Sequence, residues 1–193
     1  KVGLALGRAF PNDKGVFVVS GNSGTAMFSG KQCLPNIFVA SFHNDTVGDA
    51  IGEYMTAQGI KTMSTLALNY QAGRDYVAGA KRAFKGKHIS ELYADIEAVD
   101  FSSEIAQIRS ANPESLYIFL PGRPGTAFLK QFAQAGLSKK IRVFGVAVQA
   151  DELNFGALGD IAVGLELDHR NTLDDLGLGF GPAGHGAQAS GRA

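Results

Sequence analysis

Residues 65–85 read T-L-A-L-N-Y-Q-A-G-R-D-Y-V-A-G-A-K-R-A-F-K, and their hydrophobic period changes once, at a short polar turn. Before the turn, Leu66 and Leu68 end an apolar run that predicts a strand. After the turn, apolar residues at helical spacing predict a helix, and these are Tyr76, Val77, Ala80 and Phe84. In an open α/β sheet, ligands bind beyond the carboxyl ends of the strands, so the polar turn at 69–71 is an expected binding position.

Strand and helix patterns alternate along the rest of the chain as well. Short apolar runs predict further strands at 37–40, 88–94, 116–120, 141–148 and 161–167. Helical patterns lie between them; the first is predicted to begin at an N-cap, Asp45 or Thr46, and to end at Gly59. Such alternation with short loops implies parallel βαβ units with right-handed crossovers. The predicted fold class is therefore α/β, with a doubly wound parallel sheet.

The first forty or so residues hold at most two predicted strands, which are too few for a sheet with a full set of partners. We therefore predict that residues 1–42 are an incomplete part of a first lobe and its hinge. Residues 43–168 are predicted to form a second α/β lobe. Residues 169–193 are predicted to be a hinge remnant and a disordered tail, because glycine and alanine dominate there without an apolar period.

The composition excludes several classes of partner. Lysine and arginine number 18, as do aspartate and glutamate, so the formal net charge is zero and no field draws the chain to nucleic acid or an anionic membrane. No apolar run approaches the roughly 20 residues that span a bilayer. The first residues also lack the order of a signal peptide. We predict no nucleic-acid partner and no direct membrane insertion.

No arrangement of side chains predicts catalysis. Cys33 is the only cysteine, which excludes an internal disulfide, and it is predicted to be a small buried residue. His43 shows no metal-ligand spacing with the other histidines. Asp49 and Glu53, four residues apart, predict a solvated helix face. We therefore predict a binding protein rather than an enzyme, with no cofactor and no metal.

A turn of small residues follows a strand predicted at 15–19. It contains Asn22, Ser23, Gly24 and Thr25, whose backbone N–H groups and hydroxyls could hold a carboxylate. An ordinary surface turn explains the same residues equally well, so both interpretations stay open.

Several motifs occur in an order and spacing that point to one family. The most specific are N-Y-Q-A-G-R-D at 69–75 and G-A-K-R-A-F-K at 79–85, and V-S-G-N-S-G-T at 19–25 and C-L-P-N at 33–36 support them. Together they resemble the periplasmic solute-binding proteins of the branched-chain amino-acid (Leu/Ile/Val) type, which serve ABC importers. The resemblance covers roughly residues 2–175.

The resemblance implies two α/β lobes of the type 1 periplasmic binding fold that close over a ligand. It implies a periplasmic location, a small-molecule carboxylate as ligand, and the membrane permease of an ABC importer as partner of the complete protein. Residues 22–25 match the first-lobe loop that takes the ligand's carboxylate, and Tyr70 matches the second-lobe aromatic residue that covers it. The resemblance also implies that family sequence precedes Lys1 and continues beyond Asp175, so that the chain is truncated at both ends.

One departure from the family pattern bears on the ligand. Where amino-acid binders of this family place a glutamate for the ligand's ammonium, residues 122–125 read G-R-P-G. An unpaired buried ammonium costs on the order of several kcal/mol, so an organic or aromatic acid is expected before a branched-chain amino acid or an amide. Arg123 is expected in this strand-end loop, either as a clamp for a second carboxylate or other oxyanion or as a solvated side chain.

Two other functions remain open. Glycine-rich loops are compatible with a nucleotide-using α/β enzyme, although no G-x-x-x-x-G-K-[ST] motif occurs and the G-x-G-x-x-G pattern lies at 179–184, in the predicted tail. A ligand-sensing domain of a receptor would share the same bilobal fold.

Overall fold

The computed structural model describes residues 5, 6, 9, 10, 15–22, 24–30, 33–146 and 165–168. The strands are β1 (Val18–Ser20), β2 (Ile37–Val39), β3 (Thr62–Leu68), β4 (Lys87–Ala94), β5 (Ser115–Phe119), β6 (Arg142–Val146) and β7 (Leu165–Asp168). The α-helices are α1 (Asn44–Ala57), α2 (Gln71–Ala83), α3 (Ser102–Ala111) and α4 (Arg123–Gln134), and a 3-10 turn spans Ala26–Ser29.

The larger sheet has five parallel strands in the order β4-β3-β5-β6-β7. From the adjacent pair β3 and β5 the chain winds outward in both directions, so the switch point of the topology lies between their carboxyl ends. Side chains of α1 and α2 form a core on one face of the sheet, and side chains of α3 and α4 form a core on the other. The prediction of a doubly wound parallel sheet is confirmed.

The strand β5 occupies the middle of this sheet and contributes to both cores. Tyr117 and Phe119 pack with α1 and α2, whereas Leu116 and Ile118 pack with α3 and α4. All residues of β5 are buried, as the continuous apolar run at 116–120 predicts.

The contact between α1 and α2 is made through glycines. A Cβ atom added to Gly79 would collide with the carbonyl oxygen of Asp45 and would lie 2.9 Å from the backbone nitrogen of Asp49. Additions at Gly48 and Gly52 would likewise meet the backbone of α2. The two helices therefore touch backbone to backbone, with no room for a side chain between them.

Ion pairs flank this helix contact. Arg82 on α2 donates a hydrogen bond to Asp49 (Nε to Oδ1, 3.0 Å) and one to Asp45 (Nη2 to Oδ2, 3.1 Å). Glu53 is exposed, as predicted for a solvated helix face, and Asp49 on the same face also pairs with a cation of α2 in a solvent-exposed contact.

The predicted helix ends are partly correct. Gly59 and Gly136 follow their helices with φ of 74° and 70°, the left-handed conformation that glycine favours. The predicted N-cap of α1 is wrong, since the helix begins at Asn44 and His43 is the capping residue. Thr46 instead donates its hydroxyl to the carbonyl oxygen of His43 at 2.8 Å.

The strands β1 and β2 form a separate two-stranded parallel sheet. The first strand starts at Val18 rather than at residue 15. The segment before it is bound by a side chain instead of a strand: Asn36 Nδ2 donates hydrogen bonds to the carbonyl oxygens of Phe10 (2.8 Å) and Val16 (3.1 Å). Cys33 is exposed in the loop before β2, so the prediction of a buried cysteine is wrong.

Some predictions fall on residues outside the described ranges. These are the last two residues of the strand predicted at 141–148, the helical pattern between that strand and residue 161, the first part of the strand at 161–167, and the tail beyond residue 168. The remainder of that strand is β7, which pairs in parallel with β6.

Candidate functional site

A cleft of about 610 Å³ opens at the switch point, between the carboxyl edge of the large sheet and the β1–β2 segment. Asn22 and Gly24 line it from the turn after β1, and Tyr70, Phe119 and Pro121 line it from the ends of β3 and β5. The cleft therefore lies where ligands bind in open α/β sheets.

One wall of the cleft is aromatic. The ring of Tyr76 stacks on Phe119 with centroids 4.0 Å apart and planes inclined by 17°, and the centroid of Tyr70 lies 6.2 Å from that of Phe119. Phe119 is the last residue of β5, Tyr70 precedes α2, and Tyr76 is in the second turn of that helix. A planar apolar ligand bound in the cleft would therefore have three aromatic rings on this side to pack against.

The backbone of the turn that carries Tyr70 is held by the strand ends. The N–H of Asn69 donates to the carbonyl oxygen of Ala94, at the end of β4, and the N–H of Tyr70 donates to Leu68, both at 2.8 Å. The side chain of Arg74 donates to Asn69 Oδ1 at 2.6 Å. Backbone and side-chain bonds together fix the position of the turn.

The opposite wall is built of backbone and small residues. The N–H of Asn44, the first residue of α1, donates to the carbonyl oxygen of Gly24 at 2.8 Å, which ties the turn to the helix. A Cβ atom on Gly24 would collide with the carbonyl oxygen of Phe42, so only glycine allows this approach. Beside Tyr70, at the start of α2, Ala72 also lines the cleft, and no side chain caps that helix.

A buried polar cluster stands behind this wall. Asp75, 7% exposed, accepts hydrogen bonds from Gln71 Nε2 at 2.7 Å and from Asn44 Nδ2 at 3.4 Å. Asn44 lines the cleft and Asp75 does not. The described residues that line the cleft include no charged side chain.

The tyrosines of the wall keep their protons over a wide range of pH. Burial, followed by the nearby Tyr70 and Asp75, raises the pKa of Tyr76 to about 12. Burial also raises the pKa of Tyr70 above its ordinary value. Both phenols are therefore neutral hydrogen-bond donors at neutral pH.

We expect the raised pKa of Tyr76 to make stability fall at alkaline pH. The unfolded chain loses this proton near the ordinary pKa of 10.0, whereas the folded chain keeps it up to about pH 12. Stability is then fully present below the unfolded pKa and decreases as pH rises through this interval, because the folded state binds more protons there. Urea unfolding near pH 9 and pH 11, roughly one unit either side of the ordinary tyrosine pKa, should show a smaller loss in Tyr76→Phe than in the unaltered chain. Equal losses in the two proteins would contradict the expectation.

The structure brings together three of the residues expected in the site, Asn22, Gly24 and Tyr70. Thr25 is buried next to them, and its hydroxyl oxygen has no hydrogen-bond partner among the described residues. Ser23 lies outside the described residues. Arg123 is exposed and does not line the cleft. It was expected in a loop, but it is the first residue of α4, because the helix begins as soon as Gly122 has turned the chain with a φ of 76°.

Sequence reasoning missed Tyr76, Phe119 and Asn44 as residues of the cleft. The apolar pattern assigns Tyr76 to the core face of α2 and Phe119 to a buried strand, and both do belong to the core as well. Their signal was position: Phe119 ends a strand beside the switch point, where the sheet opens to the cleft. Asn44 carries no pattern of its own and shows its role only through its contacts.

The described part of the chain holds neither a metal-binding cluster nor a membrane-spanning helix. Residues 5–146, apart from the gaps given above, and 165–168 contain no group of three or more His, Cys, Asp or Glu side chains that could hold a metal ion. Within the same ranges, no helix is both long and apolar enough to cross a bilayer.

Comparisons with known proteins agree with the fold. A family model described as periplasmic binding protein matches residues 2–164. A solute-binding protein of an ABC transporter from R. palustris, solved in complex with benzoate, is 28% identical with a TM-score of 0.78, and the match covers 91% of this chain and 50% of that one. No curated protein matches the chain.

Two further solved structures extend the comparison. A solute-binding protein of an ABC transporter from Rhodopseudomonas palustris, in complex with 3,4-dihydroxybenzoic acid, is 30% identical with a TM-score of 0.65 over 74% of this chain and 40% of that one. A leucine-, isoleucine-, valine-, threonine- and alanine-binding protein from Brucella ovis shares the fold at 21% identity, with a TM-score of 0.67 over 80% of this chain and 41% of that one. The chain thus spans about half the length of these proteins or less.

Proposed function

Because the chain belongs to the periplasmic binding protein family, we propose that it is part of an ABC-importer solute-binding protein whose cleft holds a small aromatic monocarboxylate. Binding without catalysis is the proposed activity. The observation that carries the proposal is the composition of the cleft: aromatic rings and the uncapped start of α2 line it together, and no acidic side chain is among its described lining residues.

The aromatic wall favours a planar ring as ligand. Tyr70, Tyr76 and Phe119 all line the cleft, and the centroid of Phe119 lies 4.0 Å from that of Tyr76 and 6.2 Å from that of Tyr70. A planar ring beside them would gain aromatic contacts of the same kind. An aliphatic chain would bury similar apolar area but would lose the ring interactions, which are worth about 0.5–1.5 kcal/mol each.

The polar wall favours an anion. Amide N–H groups at the start of α2 lack intrahelical acceptors, and the helix dipole adds positive potential there. The turn at 22–25 adds further backbone amides, which is the role that its family position suggests. An ammonium would find no acid among the described residues that line the cleft, so an amino acid would carry an unpaired charge into it. Arg123 lies apart, so the proposal contains no second carboxylate.

Two relatives, 28% and 30% identical to this chain, support the same ligand class, since they were solved with benzoate and with 3,4-dihydroxybenzoic acid. The importer's membrane permease and a periplasmic location follow from the family proposal and belong to the complete protein.

Isothermal titration of the 193-residue chain with matched ligands tests the proposal. Benzoate is expected to bind. Benzamide lacks the charge and cyclohexanecarboxylate lacks the π face, so each is expected to bind at least about tenfold more weakly, a difference of about 1.4 kcal/mol. Phenylalanine carries an ammonium and has two more carbon atoms than benzoate between the ring and the carboxylate, and it is expected to be rejected. Binding of leucine or phenylalanine with no binding of benzoate would contradict the proposal.

A further inference from the structure

Of the three residues in the buried cluster, Asn44, Gln71 and Asp75, Asn44 alone is among the residues that line the cleft. A carboxylate accepts hydrogen bonds and does not donate them, so Asp75 must be met by the amide nitrogen of each neighbour. Gln71 Nε2 donates to one carboxylate oxygen of Asp75 at 2.7 Å, and Asn44 Nδ2 donates to the other at 3.4 Å. Asp75 thereby fixes which way the amide of Asn44 points.

The oxygen of that amide must then project away from Asp75. Asn44 Oδ1 lies 3.0 Å from the position that a Cβ on Gly24 would occupy, and Gly24 and Asn44 both line the cleft. The backbone bond from Asn44 to Gly24 holds the two residues in this relation. Because Asn44 lines the cleft and its Nδ2 is bonded to Asp75, Oδ1 is the polar atom of this side chain that remains for a ligand.

We propose that Asn44 is a specificity-determining residue whose Oδ1 accepts a hydrogen bond from a ring hydroxyl of the ligand, and that Asp75 is the positioning residue that keeps this oxygen turned toward the cleft. The inference rests on the proposed aromatic-acid function and narrows it to hydroxylated aromatic acids. The acceptor oxygen Asn44 Oδ1 repels a carboxylate. Asn44 therefore contacts the hydroxyl-bearing edge of the ligand's ring and not its acid group.

The test compares each of 2-, 3- and 4-hydroxybenzoate with the fluorobenzoate substituted at the same position. Fluorine is similar in size to a hydroxyl but donates no hydrogen bond. At one position at least, the hydroxy acid is expected to bind about tenfold more tightly, the size of one neutral hydrogen bond. The measured quantity is the ratio of the two Kd values, because effects of a substitution on folding or on carboxylate binding cancel in it.

Asp75→Asn conserves shape but allows the Asn44 amide to turn over, since an asparagine can donate to it as well as accept. The ratio is expected to fall to within about twofold of unity in this variant and also in Asn44→Ala, through loss of the same hydrogen bond. Glu53→Gln, the same change of carboxylate to amide at an exposed position of α1, should keep the ratio of the unaltered chain.

The outcomes separate the two proposals. A hydroxyl preference that disappears in Asp75→Asn and Asn44→Ala supports the inference. Equal binding of hydroxy and fluoro acids by the unaltered chain, or a preference that survives both substitutions, overturns the inference and leaves the aromatic-acid function standing. Absence of binding by every benzoate overturns both.

Discussion

Replacing Tyr70 with alanine is expected to weaken benzoate binding about 10- to 100-fold. Tyr70 is half-buried at the cleft, and its ring completes the aromatic wall beside Phe119. Without this ring, apolar surface of the bound ligand stays in contact with water, and leaving the area of one such side chain exposed costs about 1.5–3 kcal/mol. Isothermal titration measures the change. Tyr70→Phe should keep most of the affinity, because the stacking face remains.

A matched control separates the cleft from the fold. Tyr54 is also a half-buried tyrosine and packs edge to face on Phe144, with ring centroids 6.2 Å apart, but it does not line the cleft. Tyr54→Ala should lower the unfolding temperature and leave the affinity for benzoate within about twofold of the original. If Tyr70→Ala bound benzoate as tightly as Tyr54→Ala does, Tyr70 would not belong to the site.

Replacing Gly79 with alanine is expected to destabilise the fold by about 2–3 kcal/mol or more, the upper range for forcing extra volume into a packed contact. The new methyl group would meet the backbone of α1 at Asp45 and Asp49, and neither can yield as a flexible side chain could. For a chain of this size the loss corresponds to a fall in Tm of about 5–10 °C. Thermal unfolding followed by circular dichroism measures it.

Helix propensity alone gives the opposite expectation. Alanine is more favourable than glycine inside a helix by about 1 kcal/mol, so an unhindered Gly79→Ala would stabilise α2. The exposed neighbour Ala78 supplies the comparison, since Ala78→Gly should cost about that amount. A Gly79→Ala variant more stable than the unaltered chain would disprove the backbone contact between α1 and α2.

The sequence predicts the fold well where one physical effect dominates. The change of period at residues 69–71 marks the end of β3 and the start of α2, because burial of Leu66, Leu68, Tyr76 and Val77 decides both elements. The same effect predicts β5, whose residues are all buried. The position of the cleft follows in turn from the order of strands and helices, which the pattern also predicts.

The sequence predicts less well the surroundings of single residues that depend on the folded chain around them. Cys33 is exposed although cysteine is often buried, because it lies in a loop. Asp49 pairs with Arg82 on another helix. For Arg123 the sequence left open an oxyanion clamp and a solvated side chain; α4 begins at that residue and its side chain is exposed.

Asn44 illustrates the same limit within the candidate site. Its importance depends on two partners, Gly24 and Asp75, and on Gln71, which donates a hydrogen bond to Asp75. These residues are distant in sequence and come together only in the folded chain. No local period or spacing in the sequence predicts that these residues come into contact. Ser23 lies outside the described residues, so its role in the carboxylate turn stays a prediction.

The bonds that hold the turn at 69–71 have a kinetic and entropic consequence. Because Asn69 is bonded to Ala94 and Tyr70 to Leu68 before any ligand arrives, the Tyr70 side of the cleft loses little freedom on association. Related aromatic acids should then encounter this surface at similar rates and differ mainly in how long each stays bound. Residence time, more than the speed of capture, would distinguish the solute that is retained from those that are released.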